Sequence, residues 1–146
     1  MKSTRKKTKV PLHFTATDNA VILGIVANEP DYKLSLLINK EIRISLKSHP
    51  PIEFTDDKGQ NLTFSKFSDS SGSPDLLYSL ISNKSDNSYL IKKLKSYDYL
   101  FLIQDSNDDF NPALITQKLK ESGIFRAVFL IDQNDVNDKY LHYLIP

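Results

Sequence analysis

Apolar residues fall along this chain in short blocks separated by polar clusters, and the spacing inside each block selects an element. Ala20–Ala27 (AVILGIVA) is an eight-residue apolar run rich in β-branched side chains, which predicts a strand buried on both faces. The shorter segment Leu12–Phe14 is expected to pair beside it. Pro30, after Asn28 and Glu29, announces a helix at its first turn. Leu34, Leu37, Ile38 and Ile42, flanked by Tyr32 and Leu36, then trace a helical stripe, predicting a helix over Asp31–Ser45 that packs on the sheet. Pro50-Pro51 closes that unit. Ile52–Thr55, the turn Asp56-Asp57-Lys58-Gly59 and Leu62–Phe67 predict a β-hairpin whose imperfect alternation suits a sheet edge with one wet face. Ser68–Pro74, with its serines, Gly72 and Pro74, reads as a flexible loop.

Leu76–Ile81 predicts a further strand, followed by the polar bend Ser82–Asn87 and a short apolar piece, Tyr89–Ile91. Tyr97–Ile103 (YDYLFLI) predicts a strand, Asn111-Pro112 caps a helix over Asn111–Ser122 that ends at Gly123, and Ala127–Ile131 (AVFLI) predicts the last strand. Strand, helix and strand in that order predict a βαβ unit with a right-handed crossover and two parallel strands. The expected fold is therefore α+β, a mixed β-sheet of about five or six strands with two helices packed on it, including a C-terminal βαβ unit.

Composition agrees with one globular domain over residues 11–146 behind a basic, disordered tail at 1–10: the chain has 146 residues, 40% of them hydrophobic and 25% charged. Cysteine is absent, which removes disulfides, thiolate zinc sites and thiol nucleophiles. The net charge of +1 conceals an asymmetry: Lys2, Arg5, Lys6, Lys7 and Lys9 precede Val10 without an acid, and removing those five charges leaves −4. Such an arm is a solubilising terminus or, functionally, a phosphate-contacting segment. Thr15, Thr17, Asp18 and Asn19 interrupt the apolar run that a signal peptide requires, and no segment is long enough to cross a membrane. A cytoplasmic protein without membrane contacts is expected.

Three segments are similar in order and spacing to a bacterial family. They are Asp31-Tyr32-Lys33-Leu34 with Leu37-Ile38-Asn39-Lys40, then Leu80-Ile81-Ser82-Asn83-Lys84-Ser85, then Tyr97-Asp98-Tyr99. Together they resemble the family named for the pattern IPExxxVDY, over roughly Ala20 to Ile131. The sequence departs from that pattern where Lys92-Lys93 follow Ile91 in place of proline and glutamate, and where Tyr97 replaces valine. The resemblance implies a compact domain and supplies no reaction, substrate or cofactor.

Chemistry is sparse. His13, His49 and His142 lie far apart, and Gly24, Gly59, Gly72 and Gly123 form neither a P-loop nor a dinucleotide fingerprint. Asp105 and Asp132 follow the two strands of the expected βαβ unit, where open sheets bind ligands, so adjacent strands would let them share magnesium with Asp108, Asp109 or Asp135 in support. Lys84, Tyr89, Lys92, Lys93, Lys95 and Tyr97 form a basic, aromatic stretch suited to RNA, set against an acidic body that favours a solvated loop. Asp31, Tyr32, Asn39, Asn83, Lys84 and Asp98 are the polar residues of the family-like segments and define a candidate contact surface, each with a structural alternative as cap, bend or hydrogen-bond partner. The leading expectation is a non-enzymatic cytoplasmic interaction protein without cofactor, contacting protein or RNA through an exposed edge strand or a homodimer interface. The alternative is a carboxylate- and magnesium-dependent enzyme using Asp105 and Asp132.

Overall fold

A computed structural model describes residues 20–73, 76–105 and 111–132. In chain order the elements are β1 (Ala20–Val26), α1 (Asp31–Ile42), β2 (Lys47–Thr55), β3 (Asn61–Ser73), β4 (Leu76–Ser82) and the two-residue strands β5 (Lys84–Ser85) and β6 (Ser88–Tyr89). A 3-10 turn at Lys92–Leu94, β7 (Tyr99–Asp105), α2 (Pro112–Glu121) and β8 (Ala127–Ile131) complete them. Six strands form one sheet in the order β2-β3-β4-β7-β1-β8, and β5 pairs with β6 separately. No helix among the described residues is long and apolar enough to cross a membrane.

The α+β architecture and the C-terminal strand–helix–strand arrangement are as the hydrophobic pattern predicts, with one correction. Every pairing in the large sheet is antiparallel, so the sheet is not mixed. β7 and β8 do run in the same direction, because each is antiparallel to β1, but β1 lies between them. The strand with the most continuous apolar sequence takes a position with a neighbour on either side, where both of its faces and both of its edges are covered. Local pattern shows which strands a helix links and is silent on a distant strand inserted between them.

Three boundaries also differ from expectation. α1 stops at Ile42 because Arg43 adopts the left-handed conformation (φ 58°, ψ 52°) and its N–H bonds back to the Asn39 carbonyl. Ile44 and Leu46 prolong the apolar pattern from outside the helix by packing into the same cluster. Ser68–Ser73 is not a loop: it continues β3 and pairs with β4 through Ser68–Ser79, Asp69–Tyr78 and Ser73–Leu76. Asp69 accepts from the Ser45 N–H at 2.8 Å, so pairing and a side-chain anchor override the turn-forming composition. Pro50-Pro51 lies inside β2, at a register shift between His49 and Ile52. Leu12–Phe14 and the basic tail lie outside the described residues.

Each face of the sheet carries its own core, which explains why β1 and β7 are apolar without alternation. On one face Leu23, Ile25, Phe101 and Ile103 pack beneath Leu34 and Ile38 of α1 and Leu119 of α2. On the other, Ile22, Phe64, Ile81, Leu100 and Leu102 pack beneath Leu90, Ile91 and Leu94 from the segment joining β4 to β7.

Candidate functional site

Three of the six polar residues in the family-like segments meet where β4 leaves the sheet. Asn83 is fully buried. Its side-chain N–H groups donate to the carbonyls of Leu94 (2.9 Å) and Tyr97 (3.2 Å), and its Oδ1 accepts from the Ile91 N–H (2.9 Å). Its backbone N–H donates to the Asp98 carbonyl and its own carbonyl accepts from Leu90. One asparagine thus folds the whole 83–97 segment over the sheet. The Asp98 carboxylate accepts from the Ala27 N–H (3.1 Å) and pairs with Lys84 Nζ (3.0 Å), which holds that ammonium above its usual range. Tyr99 donates its hydroxyl to the Glu29 carbonyl at 2.8 Å. Burial, reinforced by Asp31, Asp98 and Glu29, pushes that hydroxyl up to about 12. These groups hold β1, β4 and β7 together at one end.

The remaining members of the set are dispersed. Asn39 exchanges two hydrogen bonds with the backbone of Leu46, at 2.7 and 3.2 Å, and so fixes the chain reversal after α1. Asp31 accepts from the Tyr32 N–H in the first turn of α1, while the Tyr32 side chain is 63% exposed. Beyond α1 the sheet is wider than its helix layer, since two helices of about 10 Å cover roughly four strands spaced about 4.8 Å apart. An open cleft of about 480 Å³ follows there, lined by Asp31, Ser48, His49, Thr63, Lys66 and Lys84 among others. Burial lowers the ammonium of Lys66, and Lys84 is already bound to Asp98.

The basic and aromatic stretch is partly absorbed into the fold. Lys84 is paired, and Tyr97 packs against Gly24 and the ring of Phe129, at 5.9 Å between centroids, where it cannot stack on a base. Lys92, Lys93 and Lys95 remain exposed on or beside the 3-10 turn. Lys2, Arg5, Lys6, Lys7 and Lys9 lie outside the described residues.

The carboxylates proposed to share magnesium are not on neighbouring strands. Ile131, Ile22 and Leu102 lie level across β8, β1 and β7, which puts Asp105 two residues further along than Asp132. Two strand spacings sideways and two residues along separate their Cα atoms by about 12 Å. That is too wide for two short side chains to hold one ion at about 2.1 Å each. Among the described residues no group of three or more His, Asp or Glu converges in a metal-binding arrangement. Asp108, Asp109 and Asp135 lie outside them.

The two edges of the sheet are built differently. β2 carries Pro50 and Pro51, which have no N–H to offer, and a register irregularity beside them. β8 is uniformly apolar, AVFLI, and among the described residues no strand pairs with its outer edge. Phe129 and Leu130 are 48% and 53% exposed. Ladder geometry identifies which of its backbone groups face outward. In β1 the Val26 carbonyl accepts from Arg126 of the β8 side, and the Ile25 carbonyl accepts from Asp98 of the β7 side. Alternation then turns Ile22, Gly24 and Val26 toward Ile131, Phe129 and Ala127, leaving the N–H and C=O of Val128 and Leu130 directed to the outer edge, which no described strand pairs. Sequence reasoning missed this edge, because a short apolar run reads equally well as a strand enclosed on all sides. The available signal was a run with no proline, glycine or charge inside it, bracketed by Arg126 and Asp132.

Compared with protein-family models, curated proteins and solved structures, the chain matches none.

Proposed function

We propose that this chain is a non-enzymatic, cytoplasmic interaction domain that binds a protein partner by adding an extended strand to the outer edge of β8. The observation that carries this reading is the asymmetry of the two edges: β2 is blunted by Pro50-Pro51, whereas β8 turns the backbone groups of Val128 and Leu130 outward and exposes the side chains of Phe129 and Leu130. A fitting partner is an extended apolar segment with an acid placed to meet Arg126 and a base placed to meet Asp132. The RNA reading has less support, since Lys84 and Tyr97 are engaged within the fold. The magnesium reading has less still, with β1 between Asp105 and Asp132. Kinship with the IPExxxVDY family stays part of the proposal and rests on the three similar segments of the sequence.

The test is affinity purification from the native host with nuclease present, comparing the natural chain with Leu130→Pro. Leu130 points its N–H outward, so proline removes an edge donor without breaking a β1–β8 bond. A protein partner retained by the natural chain and lost by the variant is the expected result. Partners that vanish with nuclease and ignore the substitution would contradict the reading and favour RNA.

A further inference from the structure

We infer that the partner strand at β8 is β8 of a second copy of this chain, paired antiparallel about a two-fold axis through Phe129; the inference rests on the edge reading above. Pairing between edges joins outward-facing residues to outward-facing residues, so Val128 and Leu130 must meet Val128 or Leu130 of the other copy. Three symmetric registers do this, centred on residue 128, 129 or 130. Only the register centred on Phe129 uses both outward residues of both copies, each Val128 facing a Leu130 and exchanging two hydrogen bonds with it, four in all. That same register sets Ala127 opposite Ile131, small against large.

Charge selects it independently. In the Phe129-centred register Arg126, one residue before β8, comes beside Asp132, one residue after β8 of the other copy, giving two opposite-charge pairs at the ends of an otherwise apolar ladder. Centring on Val128 instead sets Arg126 against Leu130, and centring on Leu130 sets Asp132 against Val128. Phe129 meets Phe129 at a non-hydrogen-bonded pair, where Cα atoms approach to about 4.5 Å and side chains on one face touch most closely.

One group opposes association. Lys120 of α2 hangs 5.8 Å from the centroid of the Phe129 ring, and a lysine at an edge is a usual guard against pairing. A contact of two five-residue strands so guarded belongs with small, transient interfaces, detectable as a rise in molar mass between roughly 10 μM and 1 mM rather than as a permanent dimer.

Sedimentation equilibrium over that range, on folded full-length protein verified by circular dichroism, decides the matter with four chains. The natural chain is expected to dimerise, Leu130→Pro to stay monomeric, and Arg126→Asp to weaken dimerisation about tenfold by setting acid against acid. The double exchange Arg126→Asp with Asp132→Arg is expected to restore it. A natural chain that stays monomeric throughout overturns self-pairing; whether the edge binds another protein is then judged separately by the Leu130→Pro purification. A dimer indifferent to Leu130→Pro overturns the edge itself, and a dimer lost in Leu130→Pro but not rescued by the exchange overturns the Phe129-centred register.

Discussion

The ring of Tyr97 lies so close over Gly24 that a Cβ added to Gly24 would sit 2.7 Å from ring carbons of Tyr97. Leu100 and Phe129 flank Gly24 on the neighbouring strands, and the Tyr97 ring covers the gap that the missing side chain leaves. Gly24→Ala must therefore displace Tyr97 from the sheet. The expected cost is about 2–3 kcal/mol, as for other overpacked cores, measured by urea denaturation. A loss below about 0.5 kcal/mol would mean that the ring moves aside freely.

Asn83 makes the largest set of side-chain bonds in the 83–97 segment, all of them to backbone groups in or near the core. Replacing it by alanine removes the partner of the Ile91 N–H and of the Tyr97 carbonyl and leaves the Leu94 carbonyl with the Tyr97 N–H alone. A loss of about 3 kcal/mol is expected, with Leu90, Ile91 and Leu94 becoming more accessible to exchange and proteolysis. Cleavage within the segment no faster than in the natural chain would contradict this role.

Asp98 serves two groups of unequal importance. Its bond to the Ala27 N–H satisfies a buried residue, whereas its pair with Lys84 is exposed. Asp98→Ala is expected to cost about 1–3 kcal/mol and Lys84→Met under about 1 kcal/mol in the same denaturation assay. Equal losses would transfer the weight to the ion pair.

Tyr99 supplies a pH dependence. Its hydroxyl ionises near 10.0 in the unfolded chain and near 12 in the folded one. The folded state thus holds the proton longer, and the stability this contributes is complete below pH 10 and lost as pH rises toward 12. Solvent screening of this half-buried group limits the loss to roughly 1 kcal/mol. Subtracting the tyrosinate absorbance titration of Tyr99→Phe from that of the natural chain should reveal a midpoint near 12. A midpoint near 10 would show that the Tyr99 hydroxyl is not buried beside Asp31, Asp98 and Glu29.

Local signals were sufficient for much of this fold. The block Ala127–Ile131 is a strand with those bounds, and Asn111 caps α2 by accepting from the Ala113 N–H at 3.0 Å. The turn Asp56–Gly59 joins the expected hairpin at the sheet edge. Long-range pairing was not legible: the serines of β3 carry turn chemistry locally and become a strand only because β4 lies alongside. The same holds for the candidate site. Asn83 and Asp98 stood out as polar residues among apolar ones, yet the bonds that give them structural roles come from Ile91, Leu94 and Ala27. Which edge of β8 faces outward depends on its neighbour being β1, a strand more than one hundred residues earlier.

The central claim, that the outer edge of β8 is a docking edge, is tested most directly by residue-resolved amide hydrogen exchange across β8 at increasing protein concentration. Ala127, Phe129 and Ile131, bonded to β1, should be protected throughout. Val128 and Leu130 should exchange quickly in dilute protein and become protected as concentration rises. Protection of Val128 and Leu130 that is already full in dilute protein would contradict an edge available for docking, and protection that never appears would contradict its pairing with a second copy.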